Sequence, residues 1–182
     1  MTFDERGLAE RALKNRDVST AASVDSDADE WPPVSRRIAE ARRQKGLTEA
    51  EAAERLDMTL ASYCDLERFD DEAFSVVSLA DLRALGELLG VEPRVLLLGS
   101  EAMTVAPAVT FTEIASRLAE RVLRDGCPVE ELGQQIGWDI AGVLADPSAL
   151  WSFNVEGLYD VCHALEIDWV AAVASISGSA AP

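Results

Sequence analysis

From residue 34 to residue 98 the apolar positions recur three and four apart, in short runs broken by glycine, proline and capping residues. That is the rhythm of short packed helices; strands would alternate in steps of two. The first run, Ile38 to Lys45, reads as a basic amphipathic helix that stops at Gly46. Ala52, Ala53 and Leu56 mark a second helix, with Thr48 as N-cap and Glu51 completing a capping box. Leu60, Tyr63 and Leu66 mark a third, opened by Thr59. Ser78 caps a fourth, with Leu79, Leu82, Leu85 and Leu88 on one face. Gly90-Val91 ends it, and Pro93 begins a fifth that carries Val95, Leu96 and Leu97.

The pattern then comes round again. Moved forward by 80 positions, the RIAE of 37–40 falls on the RLAE of 117–120, and Gly46, Glu51, Leu56 and Ala61 fall on Gly126, Glu131, Ile136 and Ala141. Past the turn the offset drops to 76: Ser78 falls on Asn154, another N-cap, and Leu82, Leu85 and Leu89 on Leu158, Val161 and Leu165. A repeated helical pattern at fixed offset points to a duplicated unit with a shorter loop in its second copy. The expected organisation is a flexible acidic region over 1–30, a helical domain over 31–98, a linker over 99–110, a second domain over 111–174 and a disordered tail over 175–182. Within the first region, residues 3–16 have the spacing of a short amphipathic helix and 19–30 the composition of a linker. Trp31 is expected to pack on the edge of the domain that follows.

The order I-x(7)-G-L-T-x(3)-A-x(2)-L, then Leu66-Glu67, then L-x(2)-L-x(2)-L-L-G-V-x-P, resembles the Cro/cI-type (XRE) helix-turn-helix family over about a third of the chain. The resemblance implies an all-α fold of two tandem lambda-repressor-like five-helix domains, the second degenerate. It also implies DNA binding, with Thr59 to Arg68 as the helix that lies in the major groove. In the family the opening residues of that helix and one near its end face the bases; here they are Leu60, Ala61 and Asp65. Glu49 stands where the family often has a backbone-touching glutamine. Arg42 and Glu67 match an internal ion pair of the family, and their counterparts in the second copy, Val122 and Pro147, have lost both charges together.

Charge pulls the other way. The 182 residues carry 16 Lys and Arg against 33 Asp and Glu, a net of −17. Phosphate neutralisation supplies much of the affinity of nucleic-acid binders, so they usually carry the opposite sign. The middle of the chain is the least acidic, and its bases cluster at Arg36, Arg37, Arg42, Arg43 and Lys45. Those outside the ion pair either contact phosphate or form the solvated side of the first helix. With Thr48, Thr59, Leu60, Ala61, Ser62 and Asp65, the residues Arg36, Arg37, Arg43 and Lys45 make up the candidate DNA-contacting set. Leu60 and Ala61 bring no hydrogen bonds to a base edge, whereas amides and guanidinium groups would. Phe69-Asp70-Asp71-Glu72 replaces the family's basic loop with acids that repel phosphate. In the second copy the corresponding helix, Asp139 to Asp146, is cut by Pro147 and holds no Lys, Arg, Asn or Gln. Trp138 and Ile140 at its start suit either a partner surface or core packing.

Three cysteines without CxxC spacing argue against a zinc site or disulfide framework. His163 adjoins Cys162, but neighbours one apart on a helix diverge and do not pair. No phosphate loop or metal-ligand spacing is present, so neither an enzyme nor a cofactor is expected. The absence of a membrane-length apolar run and of a signal-like N-terminus points to a cytoplasmic protein without a membrane partner. Two functions remain open. The leading one is a transcriptional regulator that contacts DNA through the first helix-turn-helix domain, weakly or with the help of a homodimer or protein partner. The other is an acidic protein-interaction module — adaptor, antitoxin-like binder or DNA mimic — that keeps the scaffold without reading DNA. The resemblance favours the first and the side chains the second.

Overall fold

The computed structural model describes residues 33–99 and 108–176. Expectations for 1–30, Trp31 and most of the 99–110 linker lie outside the described residues. Among those described the chain is all-α. The helices are α1 (Val34–Gln44), α2 (Glu49–Arg55), α3 (Leu60–Leu66), α4 (Glu72–Ser75), α5 (Leu79–Leu89) and α6 (Pro93–Leu98). There follow α7 (Phe111–Asp125), α8 (Val129–Ile136), α9 (Ala141–Ala145), the 3-10 helix η1 (Pro147–Ser152), α10 (Val155–Ala164) and α11 (Trp169–Ile176).

Local chemistry sets the helix starts as the caps foretell. Thr48 Oγ1 accepts from Glu51 N–H at 3.2 Å while Glu51 returns a carboxylate oxygen to Thr48 N–H at 2.8 Å. Thr59, Ser78 and Asn154 accept from Ser62, Asp81 and Gly157 N–H at 3.1, 3.1 and 2.8 Å. Four expectations need adjustment. The first helix begins at Val34, because Asp70 Oδ1 accepts Ser35 N–H at 2.9 Å and satisfies a donor that helix starts leave open. The third and ninth helices are shorter than the ranges 59–68 and 139–146. The two loops hold the helices α4 and η1, so each half has six elements where five were expected. Ser175 is no part of a frayed tail: it is buried in α11 and its hydroxyl donates to Ala172 C=O at 2.7 Å.

Burial follows the repeated pattern. Ile38 and Leu118, Leu82 and Leu158, and Leu85 and Val161 are all fully or almost fully buried. The apolar interior is continuous from one half to the other. Helix α4 packs on α10, α5 on η1, and α6 on α11. Where the halves meet, Ser78 and Asn154 form an isolated antiparallel bridge, and Leu79 N–H donates to Phe153 C=O at 2.7 Å. The Asn154 side-chain amide donates to Ser75 C=O, and the Arg83 guanidinium lies 5.5 Å from the centroid of Trp151.

Candidate functional site

The edge to which the sequence assigns function is built by α2 and α3, packed on each other across the turn 56–59. Met58 N–H donates to Ala53 C=O at 2.9 Å, and Asp57 takes the left-handed conformation (φ 54°) that lets the chain reverse so tightly. Beneath this edge sits the ion pair. Arg42 Nε and Nη2 donate to the two Glu67 oxygens at 2.5 and 2.7 Å, and Nη1 donates to Leu47 C=O at 2.7 Å. The two side chains are 8% and 5% exposed. A two-point guanidinium–carboxylate fork is the strongest form of such a contact. The hydrogen bond to Glu67 raises the Arg42 pKa. Tyr63, fully buried close by, is pushed up chiefly by burial and then by the Glu67 carboxylate. Arg42 and Glu67 are thus brought together as the resemblance implies, and Arg42 is withdrawn from the surface.

The other cations fare unevenly. Arg37 is corrected from a phosphate contact to a structural clamp. Its Nε and Nη2 donate to Leu96 and Leu97 C=O at 2.7 and 2.6 Å, closing the C-terminal carbonyls of α6, and burial lowers its pKa against the opposing pull of Asp70. Arg36 forms an exposed pair with Glu40 at 2.9 Å. Lys45 lies back on Gly90, where its ammonium would touch a methyl placed at that glycine. Arg43 is exposed. Outside the candidate set, Arg55 and Arg68 are exposed cations at the end of α2 and just after α3; the position of Arg55 on the polar side of α2 was legible in the sequence.

The face of α3 is apolar and acidic. Thr48, Thr59, Ala61 and Ser62 are exposed, and the two threonines spend their oxygens on capping. Leu60 is 50% exposed and Phe69 53%. The Glu72 pKa is raised by burial and then by the nearby charges of Asp71 and Asp65. Glu49 is exposed, accepts from the Cys64 thiol at 3.3 Å and stands 3.7 Å from Arg42, at the outer end of the ion pair. Asp70 belongs to the cap of α1 and is corrected from a phosphate-repelling surface acid.

In the second half Ile140, the counterpart of Leu60, turns inward, while Asp139 and Ala141 stay exposed. Ile140 is buried, and Trp138 stacks on Phe153 with centroids 5.1 Å apart while its Nε1–H donates to Asp160 at 3.0 Å. Of the two readings for these residues, core packing is the one observed. Cys162 is fully buried and its thiol is pushed up to about 12 by burial, whereas His163 is exposed and stacks on Tyr159.

These elements define an all-α chain with an acidic, partly apolar edge at α2–α3. No helix among the described residues is long and apolar enough to cross a membrane. Comparison with family models, with curated proteins and with solved structures returns no match to this chain.

Proposed function

We propose that this chain is an acidic protein-interaction module on a helix-turn-helix scaffold, and that the α2–α3 edge is its contact surface. The observation that carries this reading is the fate of the cations: Arg37 and Arg42 are consumed inside the fold, while α3 opens with half-exposed Leu60 and the acids Asp65, Asp71 and Glu72 cluster at and beyond its far end. An exposed apolar side chain on an edge that also carries acids suits a protein partner better than a phosphate backbone. The reading is tested by placing a photo-crosslinker at position 60 and, as control, at position 123, where Leu123 is 83% exposed on α7. A discrete adduct from position 60 alone supports it. Equal adducts from both positions, or none, count against it.

The alternative, a transcriptional regulator of the Cro/cI type, is favoured by the exposed Arg43, Arg55 and Arg68 around the same helix pair. Affinity would then be electrostatic. With Arg36, Arg43, Lys45, Arg55 and Arg68 all engaged, log K would fall by at most about 4.5 per unit of log salt, at about 0.9 per phosphate. Changing Asp65, Asp71 and Glu72 to Lys, and sparing Asp70, would strengthen DNA binding. The interaction-module reading expects no measurable duplex binding at physiological salt by the unsubstituted chain.

A further inference from the structure

We infer that the two halves pair with each other as a symmetric dimer would, so that the surface made by α4, α5 and α6 is a self-complementary docking surface whose partner is the chain's own second half. The inference goes beyond the proposed function and stands whichever partner the α2–α3 edge takes. It rests on reciprocity. By the two sequence offsets, α4 corresponds to η1, α5 to α10 and α6 to α11. Helix α4 packs on α10 and, in return, η1 packs on α5; α6 packs on its own counterpart α11. The residues that bridge the halves, Ser78 and Asn154, are counterparts as well. In a two-fold interface every contact of i with j is matched by one of j with i, and an element that meets its own equivalent lies on the axis. A head-to-tail arrangement would join two unlike surfaces and produce no such exchange.

Where the halves meet, Phe74 of α4 lines a gap of about 10 Å³ with Val155, Glu156, Tyr159 and Trp169 of the second half. Because the halves share one chain, the linker keeps their effective concentration high and pairing within the molecule outcompetes pairing between molecules. One molecule thereby carries two unlike edges, α2–α3 and α8–α9, in the positions a dimer would give to two identical ones. A homodimer formed through α4–α6 is excluded, since that surface is already occupied.

The test uses the full chain. Residues facing each other in an antiparallel bridge have Cα atoms roughly 4.5–5.5 Å apart, within disulfide range. Ser78→Cys with Asn154→Cys should therefore oxidise to a bond within one chain, giving a monomer on a non-reducing gel, with the single Ser78→Cys chain as control. A disulfide-linked dimer, or no bond under an oxidant, would overturn the inference. Since Asn154→Cys removes a helix cap, two measurements leave both positions untouched. Sedimentation of the chain carrying Leu60→Asp, which blocks self-association through the α2–α3 edge, should give the mass of one chain; a dimer that persists in this variant would contradict the inference. A protease site inserted in 100–107 and then cut should leave the two fragments as a one-to-one complex; separation into two independent folded pieces would sink it.

Discussion

Leu60 and Ile140 occupy equivalent places, 80 residues apart, and end on opposite sides of the surface: Leu60 is 50% exposed and Ile140 1%. The turns that lead to them are alike. Met58 N–H bonds to Ala53 C=O at 2.9 Å and Trp138 N–H to Gly133 C=O at 3.0 Å, with Asp57 and Gly137 each at positive φ. What differs is the helix start. Thr59 caps α3 and starts it at Leu60, whereas Ile140 stands just ahead of α9. There Ile140 packs beside Gly133, its Cγ1 at ordinary contact distance, 3.6 Å, from where a methyl on that glycine would sit. A later helix start goes with the change from a presented residue to a core residue. The lesson extends to the ion pair: where the first half buries Arg42 and Glu67, the second packs Val122 against the core.

The contrast is open to attack at several points. The largest effect is expected at the ion pair. Glu67→Ala leaves a buried guanidinium without its partner and should cost about 3–5 kcal/mol in denaturant unfolding. Replacing both charges by apolar residues, as the second half has done, should cost much less, with strong coupling in a double-mutant cycle.

Next comes the pair that opened the comparison. Ile140→Ala should cost about 2–5 kcal/mol as a core truncation, and Leu60→Ala should stay within about 0.5 kcal/mol. Equal losses in urea titrations would erase the distinction. Gly133→Ala is milder. Its methyl would meet Trp138 C=O at 2.8 Å, and overpacking of this kind costs about 1–3 kcal/mol; a neutral outcome would show that the turn at Trp138 does not depend on the glycine.

Asp70→Ala should lower stability by about 1 kcal/mol through loss of the donor match at the start of α1, an effect absent from Asp71→Ala. The smallest effect is read from thiols. At pH 8 an alkylating reagent should label Cys64 and Cys127, which are half-buried, well before the fully buried Cys162. The sign with pH follows. The folded Cys162 thiol holds its proton to about pH 12, whereas an unfolded one releases it near pH 8.5. Its contribution is intact below the lower value and is lost as pH rises toward the higher one. Alkaline unfolding should therefore be delayed in Cys162→Ala, provided that the truncation is corrected for at neutral pH.

Much of this was legible along the chain. Thr48, Thr59, Ser78 and Asn154 cap helices because capping is a contact between residues three apart. The buried faces of α1, α5 and α10 follow from helical spacing, which needs no knowledge of what they pack on. The Arg42–Glu67 fork was found by resemblance across 25 positions. What needed tertiary structure was the use to which surface-looking residues are put. Arg37 and Asp70 have the composition and phase of solvent-facing charges, yet each closes the end of a helix: Arg37 that of α6, 59 residues on, and Asp70 that of α1, 35 residues back. Trp138 and Ile140 look like an apolar patch until Phe153, Asp160 and Gly133 fold around them. The repeated pattern implied two similar units. Only the packing of α4 on α10 and of α6 on α11 made them face each other, since contacts across the chain depend on shape and approach, to which local periodicity is blind.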